Sequence, residues 1–511
     1  MLKNLYKAVF TITVFSILTR VMGFFTRIFI SRELGAEAMG VYQISSSILA
    51  VFLTIVNSGI PLTISRLSAE YRAKNKIDDE SRAVSAGTII STVIAIILSA
   101  LTIILKDFLV KLAGNYLIIA ILIALLPTVI ATALNVGFKG ALWGRQKHFE
   151  NSLVDFIESI IKVLLCFILI KNSASTEQGI INCAISISTA CVIATIISML
   201  LYFKSGGKLK NPKGKYRLIL SKSTPITLLR IVSSIASSLM SIIIPARLIS
   251  AGYSSEQAIS LFGIALGMTL PLLYLPNTLV GSLSTALVPD LAKLKAEENS
   301  KEFILKVKSS LTFSVFISVF FIPSFMGIGT EIGSYVYNSS FSGTLLKNSA
   351  FLMLPMGLNS ITSSILNSMG LEVKTLIHYA IGAVGLFLSI WFLPEFFGIY
   401  AVCIGMGFSL IVSTLLNLRL IKKELNAKDL ILKDTLKMCL FLIPSVLINN
   451  FTYNLFIQIF TQFFAIAFSC IIGAIFFVTL CLIFKVFTLD SLFVNFKKIR
   501  VLKRKKATKN V

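Results

Sequence analysis

Residues 19–43 read TRVMGFFTRIFISRELGAEAMGVYQ. The stretch lies inside an apolar run that opens near Val9, and two arginines, Arg20 and Arg27, sit in that run. A spacing of seven puts both on one face of a helix, two turns apart. Thr13, Ser16, Gly23 and Ser31 fall on the same face by steps of three and four, and Phe, Ile, Val and Leu dominate the rest. An arginine near the middle of a membrane span costs about 2.5–3.5 kcal/mol, and each Leu, Ile, Phe or Val returns about 0.3–0.6 kcal/mol. Roughly a dozen such residues between Val9 and Ile30 barely offset two arginines on that scale. The helix is therefore expected to insert with its arginine face toward a bundle interior or a water-filled cavity. The alternative is that Arg27 snorkels to the outer interface and Arg20 pairs with a neighbouring carbonyl.

The rest of the chain has the same character. Of 511 residues, 56% are hydrophobic and only 14% charged, and the mean hydropathy is +0.87. Those values describe an all-α polytopic membrane protein. The first apolar run is too long for a cleavable signal and has no small-residue cleavage site, so it is expected to remain as a span. A net charge of +25 would suggest nucleic acid in a soluble protein. Here the positive residues gather in alternate loops, as the positive-inside rule describes, and no nucleic-acid partner is expected. The seven cysteines lie in apolar runs without metal-ligand spacing and read as small hydrophobes. His148 and His378 stand far apart. No metal or cofactor is expected.

About 14 transmembrane helices are expected, running from 9–30 and 40–65 to 435–457 and 462–487, each near the roughly 20 residues that cross a bilayer. The loops at 66–85, 204–222, 293–308 and 422–437 are basic, and the tail after Lys485 more so. The intervening loops carry few positives. Both termini are therefore expected on the cytoplasmic side of a bacterial cytoplasmic membrane.

Internal likeness sets the expected architecture. LLPTVIATALNVGFKGALWGRQK from Leu125 resembles LMLPMGLNSITSSILNSMGLEVK from Leu352. Gly179-Ile180 matches Gly398-Ile399, GIPLTISRLSAE from Gly59 parallels GSLSTALVPDLAK from Gly281, and Arg20 has a counterpart in Arg230. The offsets cluster at roughly 210–230 residues, as two repeats of like orientation would give. Residues 1–222 are then an N-terminal six-helix lobe and 223–433 a pseudo-symmetric C-terminal six-helix lobe. Residues 434–487 are two additional helices and 488–511 a basic cytoplasmic tail.

Polar stripes mark where chemistry could sit. The second span carries Gln43, Ser47, Thr54 and Asn57, the seventh Arg230, Ser234, Ser237 and Ser241, and the eighth Tyr274 among glycines and threonines. Small polar residues on one face also serve close helix packing, but packing does not require a full charge. A central cavity lined by spans one, two, seven and eight is expected, positive through Arg20, Arg27 and Arg230 and without Asp or Glu. Such a pocket suits a phosphate or diphosphate, which arginine binds in bidentate fashion. In the fifth span, Asp155, Glu158 and Lys162 read either as a self-neutralised face with Glu158 and Lys162 paired at i,i+4, or as an ion-coupling site. Lys139 is expected to snorkel to the cytoplasmic side. No phosphate-cradling Gly-Lys-Ser/Thr loop, nucleophile elbow or paired-histidine motif occurs, so a transporter is expected and not an enzyme.

These stretches, above all SLSTALVPDLAK in the eighth span, resemble the polysaccharide-transporter branch of the multidrug/oligosaccharidyl-lipid/polysaccharide exporter superfamily, and within it the stage V sporulation protein B group. The resemblance implies two six-helix lobes opening alternately to either side. It also implies flipping of a lipid-linked saccharide, the peptidoglycan precursor lipid II for spore cortex, with membrane lipids and cell-wall synthesis proteins as further partners. Related lipid II flippases place arginines in the first span, where Arg20 and Arg27 stand, and a cation in the eighth. Between Gly263 and Pro289 this chain has none, which leaves Arg230 as the substitute. The competing readings are a cation-coupled multidrug exporter, which would need cavity carboxylates, a membrane-embedded glycosyltransferase or polymerase, and a non-transporting scaffold.

Overall fold

The computed structural model describes residues 2–297, 300–426, 432–484 and 486. Among them, all regular structure is helical. Twelve helical stretches are long and apolar enough to cross a membrane, and the first, Val14–Ala73, has 60 residues, room for the first two expected spans. The chain is a multi-pass membrane protein. The expected fifth span lies in a helix carrying Asp155, Glu158 and Lys162 and stands outside those twelve. The count of fourteen therefore stays an expectation.

The first compact unit ends at Met268. It holds α1 (Leu2–Asn57), α2 (Gly59–Ala73), α3 (Ile77–Ile104), α4 (Lys106–Ala113), α5 (Tyr116–Gly144), α6 (His148–Lys171), α7 (Thr176–Lys204), α8 (Tyr216–Ser250) and α9 (Ser255–Phe262). The long α1 is two helices merged across Gly35, whose φ of 86° and ψ of −175° no helix contains. Glycine alone takes that conformation without strain, so the break falls where the apolar run gives way to SRELGAE. α5 packs against α1, α2, α3 and α7, and α6 packs on α1 and α7. Ile60, Ile64, Val84, Val136, Phe138 and Tyr202 are core side chains where α2, α3, α5 and α7 meet. This unit runs past residue 222, the expected end of the first lobe, because α8 packs on α1 and α2, and α9 on α1 and α8. That boundary is one of packing. The division at 222/223 rests on internal likeness and remains a proposal.

The second unit begins at Thr269. It holds α10 (Leu270–Ala296), α11 (Ser300–Tyr337), α12 (Ser340–Ser349), α13 (Met353–Ser368), α14 (Glu372–Phe392), α15 (Pro394–Phe397), α16 (Tyr400–Leu425), α17 (Leu432–Leu440), α18 (Leu442–Phe456) and α19 (Gln462–Ile483). α10 packs on α11 and α13, and α16 on α13 and α14. The expected additional spans, α18 and α19, pack on each other and on α11. The expected basic tail, 488–511, lies outside the described residues. His378 Nδ1 sits 2.8 Å from Asn417 Oδ1, and the Asn417 amide donates to Thr362 and Ser363. This histidine is engaged in a helix-packing hydrogen bond. Among the described residues no group of three His, Cys, Asp or Glu is placed to hold a metal.

Candidate functional site

Inside the first unit, the second half of α1 and the middle of α8 line an open cavity of about 590 Å³. Ser47, Thr54, Asn57 and Ser58 line it from the α1 side, and Arg230, Ser233, Ser234, Ser237 and Ser238 from α8. The spacing on α8 explains the wall: steps of three and four from Arg230 keep the guanidinium and four serines on one face. The two helices are joined through hydroxyls. Thr54 Oγ1 lies 3.2 Å from Ser234 Oγ, and Ser47 Oγ lies 2.9 Å from Ser241 Oγ. Ser58 Oγ is buried without a hydrogen-bond partner. No lining residue is acidic, and Arg230 is the one cation. Chemically the cavity offers a guanidinium and many hydroxyls to an occupant rich in oxygen and negative charge.

Gly59 seats α8 beside this wall. Its amide donates to Thr227 Oγ1 at 3.2 Å. A Cβ at Gly59 would run into the Ser223 carbonyl oxygen and the Thr227 hydroxyl. Overpacking of this kind costs about 1–3 kcal/mol. Gly59→Ala is thus expected to lower the unfolding temperature of detergent-purified protein, by about 2–4 °C per kcal/mol if its unit behaves like a domain of 150–250 residues. An unchanged unfolding temperature would show that α8 has room to move at this point.

The structure brings together only part of the expected set. Asn57 and Arg230 share the cavity; Arg20 and Arg27 are not among its lining residues. Phe15 meets Phe149 and Phe156, and Phe29 meets Phe167, so the first half of α1 turns its phenylalanine face to α6. At 100° per residue Arg20 and Arg27 point well away from that face. Arg20 is exposed, whereas Arg27 is half-buried and close enough to Tyr42 for its charge to act there. Among the described residues, no carboxylate pairs with Arg20, Arg27 or Arg230. Gln43 accepts from Ser47 Oγ through its backbone carbonyl at 2.9 Å, and its side-chain Oε1 is buried without a partner. Tyr274 belongs to α10 of the second unit and is half-exposed.

On α6 the pairing differs from the expected one. Lys139 reaches from α5 to Asp155 at 2.6 Å and lies over the Trp143 ring. Among the described residues no ion pair closes between Glu158 and Lys162, although Glu158 feels both Lys139 and Lys162. Asp155 faces α5, where Lys139 stands, so the ion pair that forms here runs between helices.

A second polar cluster went unread in the sequence because its members are scattered. Glu80 on α3, fully buried, accepts from Arg72 Nε at 2.9 Å and from Arg145 Nε at 2.7 Å. Arg145 also donates to Ser205 Oγ at 2.6 Å and lies over the Tyr202 ring. Nearby, the Lys215 ammonium lies 2.9 Å from Asp79 and 3.0 Å from Tyr71 Oη. Burial pulls its pKa down, but the tyrosine hydroxyl and the carboxylate outweigh that and leave it raised.

Comparison with known proteins agrees with this architecture. Stage V sporulation protein B of Bacillus subtilis (strain 168) is 22% identical over 424 residues, spanning 80% of this chain and 81% of that one. The lipid II flippase MurJ in an inward closed conformation superposes with a TM-score of 0.72 at 16% identity, covering 93% of this chain and 98% of that one. An inward-facing multidrug resistance MATE family transporter of the MOP superfamily gives a TM-score of 0.66 at 15% identity, covering 82% and 98%. At such identities these structures establish the shared fold. Residues 5–295 match the family described as polysaccharide biosynthesis protein, and over that majority of its length the chain belongs to this family.

Proposed function

We propose that the protein moves a lipid-linked, diphosphate-bearing saccharide across the membrane by alternating access, and in the most specific form of this reading the cargo is lipid II for spore cortex. The observation that carries it is the composition of the α1–α8 cavity: one arginine, a wall of hydroxyls and no carboxylate. Arg230 supplies the planar fork that matches phosphate oxygens. The serines and Asn57 supply donors and acceptors suited to sugar hydroxyls. The sporulation relative and the MurJ-like fold support the same reading. In it, the α6 cluster of Asp155, Glu158 and Lys162 together with Lys139 is where a proton or cation exchanges to drive the cycle. A drug exporter of the MATE type would hold organic cations, and this cavity has no anion to attract them.

The test is reconstitution of the full chain into liposomes, with accessibility-tagged lipid-linked diphosphate saccharide in one set and a cationic dye in another. Protein-dependent movement of the lipid and none of the dye is the expected result. Movement of the dye alone would overturn the reading.

A further inference from the structure

A second cavity, of about 730 Å³, lies in the first unit and shares no lining residue with the first. Its size falls within the roughly 300–1,000 Å³ of ligand pockets. It is a groove between α3, α5 and α7, walled by Ile89, Ile130, Leu134, Phe138 and Ile196, and closed at one end by residues 209–212. Its wall is open to the outside: Leu134 is 39% and Ile196 52% exposed. Of the three hydroxyls along it, two are spent on the protein, and Thr88 Oγ1 is buried without a hydrogen-bond partner. Ser85 Oγ donates to the Ser81 carbonyl at 3.0 Å and accepts from the Lys210 amide at 3.1 Å. Thr195 Oγ1 lies 3.0 Å from the Ala131 carbonyl and 2.9 Å from that of Cys191. What remains facing the groove is mostly hydrocarbon.

The closed end is cationic. Lys210 pairs with Asp78 at 2.6 Å and Lys215 with Asp79 at 2.9 Å. Lys208 and Arg82 also act on Asp78, and Arg82 on Asp79. With Lys76 also acting on Asp79, five cations share two carboxylates, and the excess positive charge stands where an apolar groove meets the basic 204–222 segment. We propose that this groove holds one acyl chain of an anionic glycerophospholipid, drawn from the leaflet that meets this segment, with the headgroup phosphate at Lys208 and Lys210. A saccharide would find few free hydroxyls here, and a zwitterionic lipid would bring its own cation to an end that already has an excess of them. Because Leu209–Pro212 forms the closed end, the bound lipid also holds the segment leading into α8 against α3.

Native mass spectrometry of the delipidated full chain in detergent tests this. The probes are 1-palmitoyl-2-oleoyl phosphatidylglycerol and the phosphatidylcholine with the same chains. One phosphatidylglycerol is expected to be retained preferentially. Lys210→Ala should cut that preference about fivefold, the equilibrium equivalent of one lysine at an anionic surface. Leu134→Trp, which fills the groove from its exposed wall, should remove the bound lipid. Ile196→Trp fills it from α7 and carries the test if the first variant does not fold. Equal retention of the two lipids, or a phosphatidylglycerol adduct that survives groove filling, overturns the proposal. Displacement of phosphatidylglycerol by an equal amount of undecaprenyl phosphate overturns the choice of occupant.

Discussion

Arg230→Ala is expected to slow transfer of a lipid-linked diphosphate saccharide in proteoliposomes by about ten- to a hundredfold, with the amount of protein in the membrane unchanged. The size follows from about 1.5–3 kcal/mol for a hydrogen bond to a charged group. Protein levels should hold because Arg230 is exposed at the cavity wall and, among the described residues, no carboxylate depends on it. Arg230→Lys keeps the charge but loses the planar fork, so partial activity is expected. Ser250→Ala is the control on the same helix outside the cavity, since that hydroxyl donates to the Ala246 carbonyl at 3.1 Å. Full transfer by Arg230→Ala would remove the cavity from the transport path. Arg20→Glu, measured in parallel, reports on the first half of α1, which the cavity does not include.

The second large effect is on stability. Glu80→Ala should destabilise the first unit by about 3–5 kcal/mol, the cost of leaving a buried partner charge unpaired. Glu80 is fully buried, and the Arg145 side chain is only 2% exposed. Arg145 Nη2 already lacks a hydrogen-bond partner, so the site has no spare acceptor to offer once the carboxylate is gone. Thermal unfolding in detergent, followed by labelling of the buried cysteines Cys166, Cys183 and Cys191 as they open, reads the loss directly. The double variant Glu80→Leu, Arg145→Met should recover much of it, because removing both charges also removes the desolvation cost. If Glu80→Ala melts with the parent protein, the cluster is not a structural tie.

Much of the candidate cavity was legible in the sequence. Asn57, Thr54 and Ser47 fall on one face at helical steps, as do Arg230, Ser234, Ser237 and Ser241, and these two stripes do meet across α1 and α8. Ser58, Ser233 and Ser238 were missed. Ser238 could have been found one turn beyond Ser234; Ser58 sits at the break between α1 and α2, where periodicity stops being a guide. Arg20 and Arg27 do not line this cavity, and their place on a cargo path remains a proposal. Arg20 and Arg27 share a face, but a shared face says only which residues point together and not what they point at.

The chain's own residues determined that it is helical and multi-pass and where its long apolar stretches lie, because hydropathy and helical period act over a few residues. Tertiary structure alone decided that Arg230 and not Arg20 shares a cavity with Asn57, that Lys139 pairs with Asp155, and that Glu80 ties Arg72 to Arg145. Each of those depends on which helix faces share a boundary, and that is settled by packing between separate helices, beyond the reach of local periodicity.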